Sequence, residues 1–147
     1  MRVAIGSRIR HLCCPLSKGI FVSVKVETLV LFGATGDLAH RMLFPSLYNL
    51  HMDGLLDDAM TIVASGRSQM DRAGAHAMVR AALDDHLAGD RIDEGVIAAF
   101  LDRIDYCAVD AGAGTGYDRL AEMLGDRMSR PIGAYLSTPP SMFGPIA

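Results

Sequence analysis

Three observations in this 147-residue chain predict an α/β fold: a Rossmann-like doubly wound parallel sheet, incomplete at about four strands. Short apolar runs rich in Val, Ile and Leu alternate with longer segments of helical spacing. The first such run, Leu29–Phe32, breaks into Gly33-x-x-Gly36-x-x-Ala39 and opens a helix. Nothing repeats except this strand–helix alternation, which implies parallel pairing through right-handed crossovers. Counting strands along the chain, the expected spatial order is 3-2-1-4.

Composition bounds the possibilities. Half the residues are hydrophobic and 21% are charged, so the chain is globular. The net charge of −3, with no basic patch, argues against nucleic acid as a partner. No apolar run approaches the ~18 residues of a membrane span. Cys13, Cys14 and Cys107 form no CxxC motif and suit a reducing compartment, with Cys107 read as a buried strand thiol. His11, His40, His51, His76 and His86 show no metal-ligand spacing, so no metal site is expected. Asp57-Asp58 and Asp84-Asp85 read as solvated charge pairs.

The elements follow in order. Residues 1–23 mix Arg2, Arg8, Arg10 and Lys18 with short apolar pieces and lack the apolar core of a secretory signal. A transit-like piece, a flexible extension and a start site placed too early all fit; a poorly ordered extension is favoured, with the domain proper at 24–147. Val22, Val24 and Val26 alternate with polar residues and suggest an early start to the first strand. The helix after Gly36 offers Leu38, Leu43, Leu47 and Leu50 as its apolar face, with Pro45 expected to kink or split it. Met60–Gly66 is the second strand. A helix over 71–87 places Ala75, Val79, Ala82, Leu83 and His86 on one face. Asp93 N-caps a helix to Arg103 that carries Val96, Ile97, Phe100, Leu101 and Ile104. Asp105–Asp110 is the third strand, and Ala111–Gly116 is a glycine-rich connection. A helix from Tyr117 to Met128 turns Leu120, Met123 or Leu124, and Met128 inward. Ile132–Ser137 is the fourth strand, stopped by Thr138-Pro139-Pro140, and the final residues open another helix.

The chemistry gathers at the strand ends. A strand, a glycine turn and a helix start form a ready anion site, since helix-terminal amides lack partners. Gly33 makes the turn, Gly36 admits a phosphate to the backbone, and Ala39 allows close packing. Asp37 reads either as a helix cap or as a ligand neighbour; the cap is favoured, with the site approached through its backbone. A sheet that binds NAD usually carries an acid after the second strand. Here the segment is Ser65-Gly66-Arg67-Ser68, and Arg67 suits a 2′-phosphate, so NADP is preferred. Thr35 and Ser68 add hydroxyls. The exits at Asp110-Ala111 and at Ser137–Pro140 open on the same crevice, on the adenine and nicotinamide sides; capping the loop is an equal alternative for Asp110.

The block Gly33-Ala34-Thr35-Gly36-Asp37-Leu38-Ala39-x-Arg41-x-Leu43-x-Pro45-Ser46-Leu47-Tyr48-x-Leu50 closely resembles the N-terminal motif of glucose-6-phosphate dehydrogenases. The likeness extends to Asp53-Gly54, to Ile62-Val63 with Gly66-Arg67, and to Tyr135-Leu136-Ser137-x-Pro139-Pro140-x-x-Phe143-Gly144. It implies oxidation of glucose 6-phosphate to the 6-phosphogluconolactone with hydride passed to NADP. It also implies a cytoplasmic, usually oligomeric enzyme of the oxidative pentose phosphate pathway. By position, Gly33, Ala34, Thr35, Gly36, Asp37 and Leu38 would hold the pyrophosphate and Arg67 the 2′-phosphate. Ala111 and Asp110 would lie along the cofactor, and Pro140 matches a proline that can be cis beside the nicotinamide.

Two departures matter. Met42 stands where many members carry a lysine. The EKPxG and RIDHYLGKE segments and the large α+β substrate domain do not occur here, so no general base is assigned and the expected state is inactive alone. Glucose 6-phosphate would be a partner only if the missing domain completed the site. A short-chain reductase is disfavoured because no tyrosine has a lysine four residues on. A non-enzymatic NADP-binding module remains the alternative.

Overall fold

The computed structural model describes residues 4–5 and 25–146. Its strands are β1 (Ala4–Ile5), β2 (Thr28–Phe32), β3 (Thr61–Gly66), β4 (Ile104–Ala108) and β5 (Ile132–Leu136). They lie in the order β1-β5-β2-β3-β4. β2 pairs in parallel with β3 and with β5, and β3 pairs in parallel with β4. The four parallel strands therefore stand in the order expected from the sequence.

β1 is an addition that the sequence does not announce. It runs antiparallel on β5, with Ala4 opposite Ala134 and Ile5 opposite Gly133. The remainder of the stretch read as an extension, including Val22 and Val24, lies outside the described residues. Val26 precedes the first parallel strand rather than joining it, and the ladder is entered through Glu27, whose amide donates to Pro131 O at 3.0 Å.

Period-2 alternation divides each strand between two cores. On one face, Leu31, Ile62, Ala64, Ile104 and Tyr106 meet α1 (Phe44–Met52), α2 (Arg72–His86) and α3 (Glu94–Asp102). On the other, Val30, Phe32, Val63 and Cys107 meet Leu120 and Leu124 of α4 (Tyr117–Leu124). A last short helix, α5, covers Phe143–Ile146. Among the described residues no helix is long and apolar enough to cross a membrane.

Pro45 produces the largest departure from the expected helix pattern. Between the glycine turn and α1 the chain makes one π-helical turn, Ala39–Leu43, closed by the Phe44 amide donating to Ala39 O. Proline has no amide to give, and its ring crowds the carbonyl four residues back. Widening the preceding turn relieves both problems and leaves Pro45 in the first turn of α1, where a missing donor costs least. The extra residue rotates the apolar face. Phe44, Pro45 and Tyr48 become buried, Leu43 and Leu47 only partly so, and Leu38 and Leu50 are exposed.

Other expectations shift at element ends. His86 is exposed rather than inward, and Ile104 opens β4 instead of closing α3. Met128 is exposed because α4 stops at Leu124. Gly125 turns there with φ +44°, and a 3₁₀ turn follows over Gly125–Ser129. The expected Asp93 cap holds, with its carboxylate accepting the Val96 amide at 3.0 Å, and Asp71 caps α2 in the same way, accepting the Gly74 amide at 2.8 Å.

Phe100 anchors the α1–α3 contact, its ring edge-on to Tyr48 with centroids 5.7 Å apart. We expect Phe100→Ala to lower unfolding free energy by about 3–5 kcal/mol in urea titrations, against ~0.5 kcal/mol for the exposed Leu55→Ala. His51 also packs on Phe100, at 5.6 Å. Burial, then the charge of Arg103, lowers its pKa below 6.5. The unfolded chain then binds more protons as pH falls through that value, so stability drops on acidification below about 6.5. The same titrations repeated on His51→Gln at several pH values should show a flatter dependence.

Candidate functional site

The carboxyl ends of the parallel strands enclose a cleft of about 420 Å³. It lies where the sheet order reverses: the chain steps from β2 to β3 to β4, then returns to place β5 on the other side of β2. Such switch points leave a crevice between diverging loops. Gly33, Thr35 and Gly36 form one wall. Ser65, Gly66 and Arg67 form the second, Asp110, Ala111 and Gly112 the third, and Ser137, Thr138, Pro139 and Ser141 the fourth.

Close packing dictates the glycines. Gly33 has φ +80°, and a Cβ there would fall 2.2 Å from the Ser137 carbonyl oxygen. The Ser137 amide in turn donates to Phe32 O at 2.9 Å. The two strand exits are thus in backbone contact. A Cβ on Gly66 would lie 2.8 Å from Thr35 Oγ1, so Thr35 rests against the end of β3. The turn uses some of its own donors: the Ala34 amide bonds to Ser65 O at 2.8 Å and that of Gly36 to Gly33 O at 3.0 Å. Among the described residues no backbone acceptor takes the Thr35 amide.

Polar groups on the cleft are of two kinds. Some are engaged in building its walls. Asp110 accepts the Gly112 and Ala113 amides at 2.9 and 3.1 Å, so its carboxylate holds the glycine-rich loop. Tyr106 donates its hydroxyl to Ser68 O at 2.6 Å, fixing the segment after β3, and burial raises its pKa. Burial also raises the Cys107 thiol, which keeps it protonated and unreactive in the core. Others have no protein partner. Ser65 Oγ, Ser137 Oγ and Thr138 Oγ1 are shielded from solvent and make no hydrogen bond. Three such hydroxyls on one cleft are costly unless something else satisfies them.

The sequence-predicted residues fall into two groups. Gly33, Thr35, Gly36, Arg67, Asp110 and Ala111 come together on the cleft. Ala34 is buried behind the turn, Asp37 and Leu38 are exposed at the helix start, and Ser68 and Pro140 are exposed beside the cleft without lining it. Asp37 lies 3.7 Å from Arg41 one turn on, and among the described residues its carboxylate accepts no backbone amide, so the favoured helix cap is not formed. Among the described residues every peptide bond is trans, including that before Pro140. Residues missed at the sequence level include Phe32, Val109 and Ile146, whose apolar surfaces flank the cleft, and the hydroxyl of Ser65. Ser65 carried a signal: it is polar, yet shares a strand face with buried Val63.

Fold and cleft together define a class, the Rossmann-like nucleotide-binding domains. Residues 30–147 match the family model described as glucose-6-phosphate dehydrogenase, NAD binding domain, and the chain belongs to that family. This is the part of such proteins that takes a nicotinamide dinucleotide. The chain is 45% identical over 118 residues to a glucose-6-phosphate 1-dehydrogenase of Zymomonas mobilis, covering 80% of itself and 24% of that protein. It is 39% identical over 118 residues to the enzyme of the same name from Dickeya dadantii, with the same coverage of each. The crystal structure of glucose-6-phosphate 1-dehydrogenase from Mycobacterium avium superposes with a TM-score of 0.74 at 31% identity, over 84% of this chain and 26% of that one. The chain thus spans about a quarter of the length of these relatives.

Gly33→Ala should separate the first turn from the β5 exit. Its unfolding midpoint in denaturant should fall well beyond that of Gly54→Ala, where φ is +68° but the space is open. For Gly54→Ala the cost should be only the ~1–2 kcal/mol of left-handed backbone. Equal losses for the two would show that the Gly33–Ser137 approach is not the constraint.

Proposed function

We propose that this chain binds NADP in the cleft and forms the cofactor half of an enzyme that oxidises glucose 6-phosphate to 6-phosphogluconolactone. Arg67 carries the choice of NADP. It follows directly on β3, lines the cleft, and among the described residues its guanidinium has no ion pair or side-chain hydrogen bond. No acid stands beside it in Ser65-Gly66-Arg67-Ser68 to take a ribose hydroxyl. A dianionic 2′-phosphate matches that free, planar donor set.

The rest of the cleft fits a dinucleotide. Ser137, Thr138 and Ser141 line the β5 side with small polar residues, and Gly36 leaves the first turn bare for close approach. In this reading the turn from Gly33 to Leu38 faces the pyrophosphate through Thr35 and the helix-start amides. Ser68 supports Arg67 from the neighbouring position. Asp110 and Ala111 shape the adenine side, and the segment from Ser137 to Pro140 shapes the nicotinamide side. When bound, NADP supplies the hydride acceptor; the residues of this chain orient it and exclude water. The reading carries with it a place in the oxidative pentose phosphate pathway, in the cytoplasm and within a homo-oligomer.

No histidine or lysine lines the cleft among the described residues, and the Asp110 carboxylate is held by two amides. We therefore expect the 147-residue chain to bind NADP but to form no NADPH from glucose 6-phosphate. Titration calorimetry against NADP and NAD tests the first part. Arg67→Ala should weaken NADP roughly ten- to hundredfold, the worth of a charge-assisted hydrogen bond, and leave NAD within about twofold. A parallel loss of both affinities would overturn the role of Arg67. NADPH absorbance appearing with the purified chain would overturn the second part.

A further inference from the structure

Away from the residues that line the cleft, two segments distant in sequence bring ligand-type side chains together. His40 lies in the π-helical turn, and Asp85 and His86 end α2. One ligand atom from each lies within 4.8 Å of both others. The two imidazoles stand edge to face with centroids 5.4 Å apart. His40 Nε2 is 3.9 Å from Asp85 Oδ2, too long for a hydrogen bond. Neighbouring Asp84 is engaged by Arg80 at 2.9 Å, whereas Asp85 makes no hydrogen bond among the described residues.

We propose that His40, Asp85 and His86 form a binding site for a divalent transition-metal ion of the zinc type. Two imidazoles and one carboxylate are the donor set that borderline ions prefer, and magnesium or calcium would seek oxygen instead. Zinc bonds of about 2.0–2.2 Å hold tetrahedral ligand atoms roughly 3.4 Å apart. The present atoms stand up to 4.8 Å apart, and Asp85 and His86 are exposed, which leaves their side chains room to rotate inward on an ion. Three protein ligands leave the fourth position to water. The site also sits at the carboxyl end of the 15-residue α2, whose terminal carbonyls favour a cation.

Calorimetric titration of the untagged 147-residue chain with ZnCl2 tests the site. Cys13 and Cys14 with His11 are competent ligands by residue type, so the titration is run in the Cys13→Ser, Cys14→Ser background. One zinc per chain is expected, with no heat from MgCl2. His40→Gln and His86→Gln should each weaken zinc by at least about tenfold, and Asp85→Asn should weaken it as well, with circular dichroism unchanged. Copper(II) added in place of zinc should show electron-spin hyperfine coupling to two imidazole nitrogens. Absence of binding in the serine background, or zinc affinity indifferent to His40 and His86, would overturn the proposal.

Discussion

Everything at the candidate site depends on how closely the backbone of Gly33 approaches the carbonyl of Ser137. These atoms meet because β5 returns to lie beside β2 after the chain has moved off in the other direction. With a side chain at Gly33 the two exits would have to part. The first turn would tilt, Thr35 would lose its seat on Gly66, and the walls of the cleft would no longer face one another. The crevice is therefore a product of topology held to size by one missing Cβ. Its chemistry is then added by the loops: Arg67 after β3, the amide-bound Asp110 after β4, and hydroxyls after β5.

Membership of the glucose-6-phosphate dehydrogenase family fits this division of labour. The matching residues hold the nucleotide-type cleft, and among the described residues its lining combines glycine turns and small hydroxyl-bearing residues with Arg67, and holds no histidine or lysine. Cradling a cofactor and activating a substrate call for different side chains. Among the described residues, side chains of the first kind line the cleft.

Much of the fold could be read from residue pattern. The strands announced themselves because buried parallel strands are nearly continuous apolar runs, as in Leu29–Phe32 and Ile62–Ala64. The glycine turn and Arg67 were legible for the same local reason: each is defined by neighbours a few residues away. What escaped depends on distant contacts. The inward turn of Phe44 and Tyr48 follows from the π-helical turn before Pro45, which shifts a helical repeat that the sequence lets one count but not correct. The orphaned hydroxyl of Ser65 became visible only once β3 was seen buried between β2 and β4. His40 and His86 looked unrelated since their meeting requires α2 to lie against the first helix. Conversely, Leu38 and Leu50 were expected inside on spacing alone, and the rotated helix leaves both in solvent.

The π-helical turn has a further meaning for how this segment can vary. It amounts to one residue more than a regular helix needs between the glycine turn and Pro45. Insertions in helices usually throw every later side chain out of register, but here the surplus is absorbed within Ala39–Leu43 and the register of α1 is set afresh at Phe44. A relative lacking one residue in this interval would have to carry a different amino acid at the proline position, or repack the Tyr48–Phe100 contact. Length and proline content in this stretch should therefore change together between homologues, as a linked pair rather than as independent characters.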